Sequence, residues 1–307
     1  KRRAAKASNG ARTQIVVLAG SPAEPTMMLL ANDLDKRGFI VYCTISSQNE
    51  AVIVERQNSV DIRCLQVSRD TEINSFKPLS DLLINSNGYY SLAGAILVPN
   101  LYFPPGPTES ISVAIWSDIV YSLLGPIAFI TTGLMDLVRS SHSRLMLLTP
   151  NIISSLNPAF NAPECVTISA LTSLALCLHR ELEPQGIPFI QIRMGSFDLG
   201  SPKSSASYSY ANAIRADILS WPEPLRAIYA RQYSASSSYL KSTHSGNTSS
   251  LPSHGRTNGC TIKELYFTVF DCLVNPKPSR VYYVGRGSKL YEIMGRWIPE
   301  VVLGWLL

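Results

Sequence analysis

The sequence predicts one α/β domain with a doubly wound, mostly parallel sheet and helices on both faces. Short apolar segments that end in turn residues alternate with longer segments of helical spacing, which is typical of this class. The first unit runs from a strand at 14–20 through a helix at 26–37 to a strand at 39–44. Such a compact β-α-β unit requires a parallel, right-handed crossover. Hydrophobic residues make up 46% of the 307-residue chain, enough for a substantial core.

The same alternation continues to the end of the chain. Gly38 is the expected C-cap of the first helix, because it follows the last residue of helical spacing. Two long apolar helices are expected at 110–140 and 161–182. The remaining strands are predicted at 61–67, 93–98, 145–148, 188–193 and 281–284. This order predicts a Rossmann-like sheet.

The predicted domain covers 13–307 and follows a basic, flexible start at 1–12. That start suits either a segment beside a membrane helix or a plain polar tail. Within the domain we expect a lid region at about 200–233 and a flexible Ser/Thr-rich surface insertion at 234–259. No run of about 20 uninterrupted apolar residues occurs, so no internal membrane span is expected. The apolar ending at 297–307 is too short to cross a bilayer and could pack on the domain, meet a partner or lie at an interface.

Charge and cysteine usage exclude several classes of function. The net charge is +5, and no basic stripe with interleaved aromatic residues follows the start, so no nucleic-acid partner is expected. No Cys-x-x-Cys pair or His/Cys ligand spacing occurs, so no metal is expected and an intracellular, reducing compartment is favoured. The six cysteines are Cys43, Cys64, Cys165, Cys177, Cys260 and Cys272.

Three segments in order carry a family resemblance. Residues 275–290, NPKPSRVYYVGRGSKL, with RWIP at 296–299, resemble the C-terminal segment of the retinol and hydroxysteroid branch of the short-chain dehydrogenase/reductase superfamily. WPEP at 221–224, with Tyr229 and Tyr233, resembles the substrate lid of that branch. LHRELEPQGI at 178–187 is similar to its helix-to-strand junction. The resemblance covers roughly 13–307 and implies an NAD(P)-binding fold.

The same resemblance implies four catalytic positions, and all four are degenerate here. In the family a tyrosine transfers the proton, and a lysine four residues later lowers the tyrosine pKa. A serine orients the substrate, and an asparagine holds a relay water. The family spacing places these roles at Glu164, Ile168, Asn151 and Ser122, respectively. An isoleucine has no charge with which to lower a neighbour's pKa. We therefore predict no catalytic residue.

The cofactor loop is degenerate as well. The family motif is Thr-Gly-x-x-x-Gly-x-Gly, whose glycines let the backbone approach a diphosphate at a helix N-terminus. Here Gly20 keeps the first glycine, whereas Glu24 and Thr26 replace the others. A carboxylate facing a diphosphate costs on the order of 1–4 kcal/mol. Gly20, Ser21 and Asn100 are the vestigial cofactor-binding candidates.

Several of these residues admit a second interpretation. Glu164 is either a substitute acid or a charge that pairs with the helix dipole. Gly20 serves either a nucleotide or the geometry of the turn alone. The tyrosines of the lid region, including Tyr229 and Tyr233, line an apolar pocket or, as we favour, pack the lid.

Together these observations predict a non-catalytic protein that binds a protein partner or an apolar ligand, with no cofactor. The alternative is an NAD(P)-dependent reductase of a lipid, sterol or ketone that uses Glu164 as its acid. A third interpretation is a scaffold that binds nucleotide without turnover. The pattern of degeneracy also resembles a fungal family of uncharacterised proteins, some associated with mitochondria, which implies a location at the mitochondrial membrane. Members of the superfamily often pair through their long helices, here about 110–140 and 164–182, so a homodimer is also expected.

Overall fold

The computed structural model describes residues 3–68, 74–100, 103–198, 212, 214–245 and 260–298, with the backbone alone at 236–245. Seven parallel strands form one sheet in the order β3-β2-β1-β4-β5-β6-β9. They are β1 (Gln14–Gly20), β2 (Ile40–Ile45), β3 (Ile62–Gln66), β4 (Ser91–Val98), β5 (Leu145–Pro150), β6 (Phe189–Met194) and β9 (Val281–Val284). The chain winds outward in both directions from β1 and β4, which confirms the doubly wound prediction.

The helices cover both faces of this sheet. They are α1 (Pro25–Arg37), α2 (Gln48–Glu55), α3 (Lys77–Asn85), α4 (Val113–Phe129), α5 (Met135–Ser140), α6 (Ile152–Leu156), α7 (Ala162–Leu182), α8 (residues 214–220), α9 (Glu223–Ser245), α10 (Lys263–Val274) and α11 (Ser288–Trp297). Val16 and Leu18 of β1 pack on the α1 and α10 side, whereas Ile15 and Val17 pack on the α5 and α7 side. Because both faces are buried, β1 reads as a continuous apolar run.

Gly38 ends α1 in the left-handed conformation, with φ 98°, as predicted. The long helix predicted at 110–140 is interrupted, in contrast. Residues 130–134 form a π-turn in which Gly133 has φ 109°. A Cβ at Gly133 would lie 2.1 Å from Asn74 Oδ1, so the contact with Asn74 and the positive φ together require glycine. The chain returns to an α-helix at Met135.

The chain also departs from the predicted flexible segments. In the basic start, Ala4 is buried and its N–H donates to Arg37 O, while Arg12 pairs with Asp35 and Asp61. Ala4 and Arg12 therefore hold this start against the domain. The insertion predicted at 234–259 is helical to Ser245, because α9 continues that far, and 246–259 lie outside the described residues. Of the predicted lid, 200–211 and 213 also lie outside them.

The described residues also form a second sheet of two short strands. β7 (Phe197–Asp198) pairs in parallel with β8 (Cys260–Thr261). Phe197 is opposite Cys260, and Asp198 is opposite Thr261. The chain between β7 and β8, which includes α8 and α9, therefore leaves and re-enters the domain at neighbouring points.

Two helical stretches among the described residues, Val113–Ser140 and Ala162–Gln185, are long and apolar enough to cross a membrane by length and composition. Length and composition alone do not show a membrane span, so the expectation of no internal span stays a prediction. Both stretches contact the sheet, since α4 packs on β1 and α7 packs on β5 and β6. α4 nevertheless leaves Val113, Val120 and Leu124 exposed.

Candidate functional site

Ligands of open α/β sheets bind beyond the carboxyl ends of the strands, at the point where the winding direction changes. Here that point lies between β1, which ends at Gly20, and β4, which ends at Val98. The loop from Gly20 to α1 and the N-terminal turns of α6 and α7 therefore contain the candidate site, and the sequence placed its degenerate motifs there.

Gly20 is explained by packing. A Cβ at this position would lie 2.3 Å from Val98 O on β4, closer than any side chain tolerates. The Gly20 N–H donates to Thr44 Oγ1 at 2.9 Å, and the Thr44 hydroxyl donates to Gly20 O at 2.8 Å. Close packing against β4 thus accounts for the residue, which does not adopt a positive φ, and its N–H already has an acceptor within the protein.

Ser21 reveals a residue that the sequence reasoning missed. Its hydroxyl donates to the carboxylate of Glu50, and the same carboxylate accepts from the backbone and hydroxyl of Ser46, at 2.7 and 2.8 Å. Burial alone would raise the pKa of Glu50, but these hydrogen bonds hold it below its usual value. An ionised carboxylate therefore lies beside the loop. Ser47 caps α2 by accepting from the Glu50 N–H, and such a local pattern indicates a helix start but not the contact of Glu50 with Ser21.

Glu24 occupies the N-cap of α1, and Pro25 follows it at the first helical position. Pro25 offers no N–H, and the N–H of Met27 donates to Glu24 O at 3.0 Å. The helix N-terminus that would attract a diphosphate thus carries a carboxylate of the protein itself. Asn100, the third vestigial candidate, is exposed just after β4.

Ile168, at the lysine position, is 1% exposed on the inner face of α7. Ser122, at the asparagine position, donates to Ile119 O within its own helix at 2.7 Å. Neither side chain is available to a substrate. Ser122 is a locally satisfied hydroxyl, and Ile168 is a core residue.

Asn151, at the serine position, is turned toward α11. Its side-chain amide donates to Ser288 O at 2.8 Å and to Glu292 Oε2 at 3.2 Å. Its backbone N–H donates to Met194 O at 2.9 Å. The residue therefore connects the ends of β5 and β6 to the C-terminal helix.

A polar network extends from this contact into the sheet, and the sequence reasoning did not find it. Arg193 pairs with Glu292, and the two side chains are 14% and 23% exposed. Arg193 Nε also donates to Gln191 Oε1 at 3.1 Å, and Gln191 Nε2 donates to Thr149 Oγ1 at 3.2 Å. Burial would raise the pKa of Glu292, but Arg193 and Asn151 keep it below its usual value. The network holds α11 over the place where the family presents its serine.

Glu164 lies in the first turn of α7, and no hydrogen bond to its carboxyl is present among the described residues. Burial raises the pKa of Glu164 to about 7. The helix N-terminal field, which would favour the charged form, is thus outweighed by loss of solvent. The adjacent Cys165 contacts Ile153 O through its sulfur at 3.7 Å, which packs this turn against α6.

Replacement of Glu164 by glutamine tests this burial. A carboxyl with a folded pKa near 7 and an unfolded value of about 4.3 binds excess proton in the folded state, so stability falls as pH rises through this window. The stability of E164Q relative to wild type should increase by about 3 kcal/mol between pH ~4 and pH ~8, measured by urea unfolding at each pH. The control is E181Q, an exposed acid on the same helix. An equal gain in both variants would contradict the prediction.

The aromatic residues of the lid form a cluster of their own. Phe160, Trp221 and Tyr233 are buried together, and Tyr229 packs against them. The ring centroids of Trp221 and Tyr233 are 4.9 Å apart, and the Tyr233 hydroxyl donates to Asp217 Oδ2 at 2.9 Å. These contacts fit lid packing for Tyr229 and Tyr233.

Within the described ranges, no group of three His, Cys, Asp or Glu side chains could share a metal ion.

Comparison with known proteins agrees with this architecture. Residues 11–304 match a fungal family of unknown function, DUF1776. The chain belongs to this family. It is also 27% identical over 248 residues to the UPF0744 protein C106.03 of Schizosaccharomyces pombe, covering 76% of this chain and 68% of that protein.

Solved structures place this DUF1776 protein in the short-chain dehydrogenase fold. A short-chain dehydrogenase from Streptomyces avermitilis superposes with a TM-score of 0.62 at 14% identity, covering 97% of this chain and 96% of that one. A short-chain dehydrogenase/reductase from Mycobacterium ulcerans gives 0.57 at 14% identity, covering 89% of each chain. At this identity the similarity establishes the fold, and the chemistry has to be argued from the site itself.

Proposed function

We propose that this DUF1776 protein is a non-catalytic short-chain-dehydrogenase fold that acts as a binding or scaffold module. The observation that carries the proposal is Ile168. The position that would hold a lysine ammonium, to lower the tyrosine pKa and hold the cofactor ribose, contains an apolar side chain that is 1% exposed. A proton relay of the family's kind has no cation at this position.

The cofactor loop supports the same proposal independently. Gly20 gives its N–H to Thr44, and Ser21 gives its hydroxyl to Glu50. Two carboxyl side chains lie at this loop, with Glu24 at the N-cap of α1 and Glu50 beside Ser21. Each like charge within a few ångströms costs about 1–4 kcal/mol, which weakens binding by roughly one to three decades per contact.

Titration with nicotinamide cofactors tests the proposal. A ligand at a hundredfold excess over its dissociation constant stabilises a protein by about 2.7 kcal/mol. We expect no thermal shift with millimolar NAD⁺, NADH, NADP⁺ or NADPH, alongside a clear shift for an active short-chain dehydrogenase as control. A shift without hydride transfer to a panel of ketones and alcohols would support the nucleotide-binding scaffold instead. A thermal shift together with hydride transfer to a substrate would contradict the proposal.

A second candidate function rests on Glu164. A general acid works best when its pKa is near the operating pH, and burial raises the pKa of Glu164 to about 7. An NAD(P)-dependent reductase of a lipid, sterol or ketone could use this carboxyl to protonate the substrate oxygen while the cofactor supplies hydride. Any reductase activity of the purified protein should then disappear in E164Q and persist in E181Q.

The proposal includes partners and a location. An apolar ligand or a protein partner is the proposed occupant of the module, and nucleic acid is not. A homodimer is proposed through α4 and α7, whose outer faces expose Val120, Leu124, Val166 and Leu176. Sedimentation equilibrium of the purified chain would measure the mass of this dimer.

An intracellular, mitochondrial-membrane location is proposed from the family resemblance, and fractionation of fungal cells tests it.

A further inference from the structure

The C-terminal helix α11 packs its polar face, rather than its apolar face, against the protein. At about 100° per residue, Ser288, Glu292 and Gly295 share an arc of about 60°. This arc faces the protein. Ser288 is buried, Glu292 pairs with Arg193, and a Cβ at Gly295 would lie 2.0 Å from Ser155 O on α6. The polar and glycine side of the helix is therefore the packed side.

The outward face of the same helix is apolar. Leu290, Ile293 and Trp297 share an arc of about 60° on the side opposite to the packed residues. Their side chains are 59%, 46% and 78% exposed. A surface helix normally buries such a stripe, so this arrangement indicates that something apolar covers it.

Charge identifies the chemistry of the covering surface. Lys289 and Arg296 lie between the packed and apolar faces, on one flank of the helix, and both are exposed. Neither has an ion pair within the part of the chain that the structure describes. The helix contains one acid, Glu292, and Arg193 holds it inward. The exposed part of α11 thus combines an apolar stripe, an exposed tryptophan and two cations.

We propose that α11 binds the surface of an anionic lipid bilayer, with Leu290, Ile293 and Trp297 inserted at the level of the headgroups. Amphipathic helices of this kind lie in the plane of the interface, with tryptophan and aliphatic side chains buried and basic residues near the lipid phosphates. Because Arg193 and Asn151 hold the packed side of α11, the helix is presented in a fixed orientation. The inference adds a contact surface to the membrane location proposed above and rests on that part alone.

Flotation of the full chain with vesicles tests the proposal. One set contains phosphatidylcholine alone, and the other contains phosphatidylcholine and phosphatidylserine in equal amounts. We expect binding to the mixed vesicles that weakens with salt. K289Q/R296Q should weaken it about thirtyfold at low salt, since each basic residue contributes about a factor of five. L290S/I293S/W297S should weaken it by at least about tenfold.

The matched control is V60S/I84S, which removes two apolar side chains of similar exposure, 86% and 67%, from other parts of the surface. It should bind as wild type does. Equal flotation with both vesicle types, or unchanged binding of the triple variant, would overturn the proposal. So would a change in the sedimenting mass of the triple variant without lipid, because the face would then be an interface between copies. Cofactor titrations do not depend on this surface, so the two proposals fail separately.

Discussion

Replacement of Ile168 by lysine, the residue that the superfamily places there, is expected to destabilise the protein by about 4 kcal/mol. Ile168 is 1% exposed on the inner face of α7. An ammonium at this position would lose its hydration, and Glu164 on the preceding turn, whose pKa burial raises to about 7, is only about half ionised at neutral pH. The lysine should therefore remain neutral in the folded protein, with a pKa well below its usual value.

Chemical unfolding across pH measures this effect. A depressed lysine pKa means that the unfolded state binds the extra proton, so the loss of stability should shrink as pH rises from about 7 toward about 10. I168M is the control, since methionine has nearly the length of lysine without the charge and should cost less than about 1.5 kcal/mol. If I168K were as stable as I168M, position 168 would accept an ammonium, and the burial of Ile168 would no longer support the non-catalytic proposal.

Loss of Glu292 is expected to lower the free energy of unfolding by about 3 kcal/mol. Glu292→Ala leaves Arg193, which is 14% exposed, without its carboxylate and takes one acceptor from Asn151. Removing one partner of a largely buried pair costs more than the pair contributes, because the other charge remains desolvated. The packed side of α11 would loosen as a consequence.

The control for this variant is Glu183→Ala. Glu183 pairs with Arg280, but the two side chains are 54% and 65% exposed, so the loss should not exceed about 0.5 kcal/mol. Because the folded pKa of Glu292 is depressed, its contribution is present at neutral pH and should be lost as pH falls below about 4. Equal costs for the two variants would show that the network does not hold α11.

The strands were predictable because each carries its own signal. Each predicted strand of the main sheet lies within two residues of an observed one. Residues of β1 are buried on both faces, and this produces a continuous apolar run that any reader of the sequence can find. Local breaks were not predictable in the same way. The positive φ of Gly133 leaves no mark in the hydrophobic periodicity, and its close neighbour Asn74 is distant in the sequence.

The candidate site, too, could be predicted from the sequence only in part. The positions Asn151, Glu164 and Ile168 were assigned by counting, since family spacing is a property of the linear chain, and their family roles stay a prediction. The residues that bring these positions together with other elements could not be found in this way. Arg193 and Glu292 are separated by 99 positions, and only the sheet and the packing of α11 bring them together. Glu50 and Ser21 meet across the parallel neighbours β1 and β2 for the same reason.

The pairing of β7 with β8 has a consequence for how this fold can diversify. Since Phe197 and Cys260 are opposite each other on the paired strands β7 and β8, the two ends of the intervening chain are held together. Lengthening such a segment is thermodynamically cheap, because each doubling of a flexible loop costs only about 0.6 kcal/mol. Insertions and deletions can accumulate there while the seven-stranded scaffold stays intact, so relatives can acquire different recognition elements on an unaltered frame.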